Sequence, residues 1–167
     1  MQRLEPPESH FVNAALGWLE LGLPHEAAAE LDQLPDTRQR HPDVLEVRWA
    51  ITAAQQEWER AVTVATALVE AAPGRPTGWL HRAYALRRVS PEGLRQAWNA
   101  LLPAAERFPK EALIPYNLSC YACQLDRLGD ARLWLRRALE VGNREHVKQM
   151  ALQDGDLRAL WGEIKEW

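Results

Sequence analysis

The chain has 167 residues, enough for one domain with a buried core. Its 47% hydrophobic and 26% charged content is that of an ordinary globular protein. A net charge of -3, from 20 Lys+Arg and 23 Asp+Glu, gives no overall case for a nucleic-acid or anionic-membrane partner. The charge is unevenly spread: residues 1–60 carry 5 basic and 11 acidic side chains, and residues 61–110 carry 7 and 3. Two readings of the basic middle stay open, solvated helix faces or a patch that meets an acidic partner segment.

The N-terminal stretch MQRLEPPESH has no apolar run and two prolines, so residues 1–7 are expected to be a flexible end without a secretory signal. No stretch has the roughly 20 apolar residues of a membrane-spanning helix. Two cysteines make no disulfide framework. A cytoplasmic setting is the resulting expectation. Eight tryptophans are many, and most are expected in inter-helix packing.

From Glu8 onward the chain reads as helix pairs. The first pair is expected over Glu8–Leu21 and His25–Leu34, with a turn at Gly22-Leu23-Pro24 and a polar connector at Pro35–His41. The second covers Pro42–Gln55 and Trp58–Ala71 and ends at Pro73-Gly74. The third covers Pro76–Arg88 and Pro91–Phe108, with Ser90-Pro91-Glu92 as a helix start. The fourth covers Tyr116–Leu125 and Ala131–Leu139, with Pro115 in or before its first turn, since an interior proline costs about 3 kcal/mol.

The pairs share a register. Ala27, Ala61, Ala97 and Ala131 are spaced 34, 36 and 34. Leu31, Ala65, Leu101 and Leu135 stand four residues later, and Leu34, Leu68, Ala104 and Ala138 three beyond those. Phe11, Leu45, Trp79 and Pro115, and then Ala15, Trp49, Ala83 and Ser119, are spaced 34, 34 and 36. An insertion of two residues near Ser90–Gly93 accounts for both departures from 34. Agreement over these five columns marks an internal repeat.

This 34-residue helix–turn–helix unit resembles the tetratricopeptide repeat. The matching elements are the early aromatic (Phe11, Trp79), the small residue one turn on (Ala15, Ala83, Ser119), the second-helix alanine, and a closing proline (Pro73, Pro109) 12 residues after Ala61 and Ala97. Departures are Pro42, three residues late, Trp49 in a small column, and Arg48 and Arg82 where leucine is usual. The resemblance covers residues 8–142 and implies an all-α solenoid of about four repeats (8–41, 42–75, 76–109 and 110–142). Residues 143–167 are similar to the closing segment of many bacterial proteins of this type, through Ala151, Leu152, Asp154, Asp156, Leu157 and Leu160. Val147, Met150 and Ala151, then Leu157, Leu160, Trp161 and Ile164, form two amphipathic stripes suited to capping the open end of a solenoid. A docking element for a partner is the other reading of this segment. Roughly ten helices are expected in all.

The resemblance also implies that first helices line a concave groove that binds a peptide segment of another protein. It places Val12, Leu16 and Leu19, Glu46, Ala50 and Ala53, Leu80, Tyr84, Arg87 and Arg88, and Tyr116, Cys120, Cys123 and Gln124 on that face. Tyr84, Tyr116, Arg87 and Arg88 are the main partner-binding candidates, since aromatic and arginine side chains carry much interface energy. The bland alternative is that the tyrosines close the core and the arginines are solvated. Cys120-x-x-Cys123 lacks the four ligands of a structural zinc site and the helix N-terminus of a redox pair, and small packing residues are the expected role. No cofactor or metal is expected. The five scattered histidines and the absence of a phosphate-binding glycine loop give no sign of an enzyme. The function expected is therefore a non-catalytic adaptor. A self-associating structural module, with a homodimer possible, and a secretion-type chaperone are the alternatives.

Overall fold

The computed structural model describes residues 4–167, all of whose regular elements are helical. The chain divides into two compact units, residues 1–89 and 90–167. The boundary falls between the two helices of the third expected repeat, at the insertion.

The first unit holds α1 (Glu8–Glu20), α2 (Pro24–Asp32), α3 (Pro42–Ala54), α4 (Trp58–Ala71) and α5 (Pro76–Val89). A 3₁₀ turn, Asp36–Arg38, interrupts the connector between α2 and α3. Pro24, Pro42 and Pro76 each open a helix, where a missing N–H costs nothing and the fixed φ is already helical. The ring of His41 accepts from the Asp43 N–H and so caps α3.

The second unit holds α6 (Gly93–Leu101), α7 (Ala104–Arg107), α8 (Leu113–Gln124), α9 (Leu128–Val141), α10 (Arg144–Gln153) and α11 (Trp161–Glu166). A 3₁₀ segment, Gly155–Leu160, joins α10 to α11. Eleven α-helices among the described residues exceed the ten expected because the helix read through Pro91–Phe108 is broken. Pro103 has no N–H to give and its ring clashes with the carbonyl four residues back, so α6 stops and α7 restarts. The expected start at Ser90 is also late: α6 begins at Gly93, with Glu92 before it. Pro115 lies in the first turn of α8.

The repeat columns are the core. Ala27, Ala61, Ala97 and Ala131 are fully buried, as are Leu31, Ala65, Leu101 and Leu135. In the first-helix column Ala15, Ala83 and Ser119 are fully buried too. Small side chains there let paired helices approach closely, and Ser119 uses the proximity by donating to the Ala131 carbonyl at 2.9 Å. Trp49 is too large for that column and lies half-buried, its ring stacked on His81.

The turns inside the pairs repeat as well. Gly22, Gln56 and Asp126 all have positive φ, at 74°, 59° and 62°. At each, the next residue donates back to the last turn of the preceding helix: Leu23 to Trp18, Glu57 to Thr52 and Arg127 to Ala122, each at 2.9 Å. These are three copies of one Schellman C-cap, spaced like the alanine column.

Leu4 lies within the stretch expected to be a flexible end, and it packs onto the first unit. Its side chain is buried with Val12, Val44 and Val47, and its N–H donates to Asp43 Oδ2 at 3.4 Å. Residues 1–3 of that expected end lie outside the described residues.

Candidate functional site

The expected partner-binding residues fall into both units. Glu46, Leu80, Tyr84, Arg87 and Arg88 belong to the first, and Tyr116, Cys120, Cys123 and Gln124 to the second.

On α5 and its neighbours, an aromatic cluster gathers around Tyr84. His81 lies flat on Trp49, with ring centroids 3.7 Å apart, and Tyr84 meets Trp49 edge-on at 5.9 Å and Trp58 at 6.0 Å. The Arg88 guanidinium sits 3.5 Å from the centre of the Tyr84 ring and donates to the Tyr84 carbonyl. Arg88 is thus laid against its own helix rather than held out as a free cation, although Tyr84 remains 39% exposed. Burial holds the His81 pKa down to about 4, against a smaller opposing pull from Glu46, so the ring is neutral at pH 7.

In the second unit the cysteines pack inside, as the small-residue reading has it, and the face that the resemblance gave to a partner is covered. Tyr116, Cys120 and Cys123 are only 6%, 2% and 7% exposed. The segment after α10 lies over this face of α8. The Tyr116 hydroxyl donates to Asp154 Oδ2 at 3.0 Å, Cys120 Sγ reaches the same oxygen at 3.5 Å, and Gln124 Nε2 donates to the Asp156 carbonyl at 2.9 Å. The chain's own C-terminal segment therefore takes the polar groups assigned to a partner. Asp154 Oδ1 accepts from the Asp156 N–H, which caps the 3₁₀ segment. Leu157, Leu160 and Ile164 are fully buried, Trp161 Nε1 donates to the Ala151 carbonyl, and Arg132 holds Glu163 bidentately at 2.7 and 2.8 Å. Burial pushes the Tyr116 hydroxyl and the Cys123 thiol upward, so both stay protonated at pH 7.

Cys120, Asp154 and Asp156 place one ligand atom each within 4.8 Å of one another. Both oxygens of Asp154 already accept hydrogen bonds, and three ligands fall short of a closed zinc site. The two cysteines are free thiols.

The open site lies on the first two first-helices. A cavity of about 760 Å³ is lined by Val12, Asn13 and Leu16 of α1, by Asp43, Glu46, Val47 and Ala50 of α3, by the Leu4–Pro6 segment and by Arg75. Of the expected groove residues, Val12, Leu16, Glu46 and Ala50 line it. Arg75 donates to Asp43 Oδ1 at 2.8 Å and approaches Glu46 Oε1 at 3.4 Å, while Thr77 donates to Glu46 Oε1 at 2.8 Å. Burial works against the Asp43 carboxylate, but hydrogen bonds from Arg75 and the Leu4 N–H outweigh it and lower its pKa. Sequence reasoning named Glu46 without Asp43 or Arg75. Their register, first turn of α3 and residue before α5, was the available signal.

No helix among the described residues is long and apolar enough to cross a membrane. No family model matches the sequence, and no curated protein does. Solved structures do. A tetratricopeptide-repeat protein of Thermus thermophilus, TTC0263, superposes with a TM-score of 0.69 at 16% identity, over 96% of this chain and 100% of that one. MamA residues 41 to the end, from Desulfovibrio magneticus RS-1, superposes with a TM-score of 0.70 at 17% identity, over 98% and 96%. The repeated columns, the repeated C-caps and these superpositions agree: the chain has the tetratricopeptide-repeat fold.

Proposed function

We propose that the protein is a non-catalytic scaffold that holds a segment of another protein in the cavity between α1 and α3. The observation that carries this reading is the cavity itself. It is large enough for a few side chains, within the roughly 300–1,000 Å³ range of ligand pockets, and its polar walls are already fixed by the Asp43–Arg75–Glu46–Thr77 network. A pre-formed wall loses little entropy on binding, so modest contacts suffice. Tyr116, Cys120 and Cys123 are assigned to the interior of the second unit instead, and Tyr84 and Arg88 to the rim of an aromatic cluster.

Ala50→Trp tests the reading by filling the cavity from α3. Captured proteins from the native lysate are compared for wild type and variant, after circular dichroism shows equal helicity. A protein retained by wild type and lost from Ala50→Trp is the expected result. Identical captures contradict the cavity as the binding site. A concentration-dependent mass by light scattering supports the self-associating alternative instead.

A further inference from the structure

The walls of this cavity divide by chemistry, and the division selects a ligand. Leu4, Pro6, Val12, Leu16, Val47 and Ala50 supply apolar surface, and Leu16 is 43% exposed although it is a leucine in the middle of a helix. The ionisable lining residues are Glu5, Asp43 and Glu46 against Arg75 alone, a balance of -2. Arg75 is matched to Asp43 at 2.8 Å and reaches Glu46 Oε1 only at 3.4 Å. Thr77 gives Glu46 a hydrogen bond but no charge. Glu5 is exposed, and its carboxylate has no ion-pair partner among the described residues. Three carboxylates thus border an apolar hollow with one cation, Arg75, shared between Asp43 and Glu46.

We propose that the cavity takes an extended segment of a partner protein in which a lysine or arginine stands beside an apolar residue. The cation meets Glu46 and Glu5, and the apolar side chain covers Leu16 and Val12. A long basic side chain suits this geometry because its methylene stem lies along apolar surface while its head reaches a carboxylate. An arginine adds a bidentate grip. An acidic segment is disfavoured by the same lining, since like charges across an interface are repulsive. The proposal deepens the scaffold reading and rests on it.

The test is selection of short random displayed peptides against the full chain, followed by anisotropy titration of the enriched ones. Enriched peptides should carry Lys or Arg next to an apolar residue. Their affinity should fall about tenfold in Glu46→Gln, by a smaller factor in Glu5→Gln, and with rising salt. Glu46→Gln keeps an acceptor for Thr77, and Glu5 lies outside every helix, so folding is preserved in at least one variant. Enriched acidic or uncharged peptides that still fail to bind Ala50→Trp overturn the ligand class and leave the scaffold reading standing. Basic peptides indifferent to both glutamine variants do the same. No enrichment, or peptides that bind Ala50→Trp as well as wild type, overturns both.

Discussion

His81 shows how one side chain couples the repeat packing to pH. Its ring is stacked on Trp49, and the nearby Glu46 charge is too little compensation for a buried imidazolium. The pKa is about 4 in the folded chain and near 6.5 in the unfolded chain, so below pH 6.5 the unfolded state binds the proton first. Stability is therefore full above pH 6.5 and is lost as the pH falls toward 4. At pH 5 the loss is up to about 2 kcal/mol. Denaturant unfolding at pH 7.5 and pH 5 should show this for wild type, and His81→Phe should remove most of the difference. An unchanged pH dependence in the variant contradicts the assignment. Tyr116 makes a parallel case in the second unit. Its hydroxyl is buried against the Asp154 carboxylate, so Tyr116→Phe should destabilise by about 1–2 kcal/mol in equilibrium unfolding. A neutral substitution would mean that the C-terminal segment is not held there.

At the scale of the element, the repeat is written in backbone as well as side chains. The three Schellman caps all need a left-handed residue, yet only Gly22 is glycine. Gln56 adopts φ 59° with a Cβ that crowds the following carbonyl. Gln56→Gly should accordingly raise stability by about 0.5–1 kcal/mol, and Gly22→Ala should lower it by about as much. Thermal melting of the two variants beside wild type checks both signs. The helices and their small columns were legible in the sequence because a 34-residue period repeats the same burial requirement at each step. Pro103 was passed over because the period ran through it, although the proline's own chemistry ends a helix. Gln56 carried no sequence signal for left-handed backbone, whereas Asp126 is of a type that tolerates it.

For the whole molecule, the fold was readable and the covering of one face of α8 was not. Tyr116, Cys120 and Cys123 have the right register for a partner-binding face, but register says only which way a side chain points. What covers it is decided by a segment 32 to 38 residues away in sequence, where Asp154 and Asp156 supply the hydrogen bonds. The burial of Leu4 was not legible for a similar reason. One leucine among polar and proline residues has no periodicity, and its burial depends on Val12, Val44 and Val47. Glu46, by contrast, was named through the family resemblance, and it borders the open cavity.

Binding at the α1–α3 cavity of the first unit is open to direct test. Site-specific photo-crosslinking tests it most directly, with a photoreactive phenylalanine placed at Leu16 in the cavity wall, at Thr63 on the exposed side of α4, and at Leu133 on α9. Irradiated in native lysate, Leu16 should yield a discrete crosslinked partner that Thr63 and Leu133 do not. A partner crosslinked from Leu133 or Thr63 and absent at Leu16 would contradict the account.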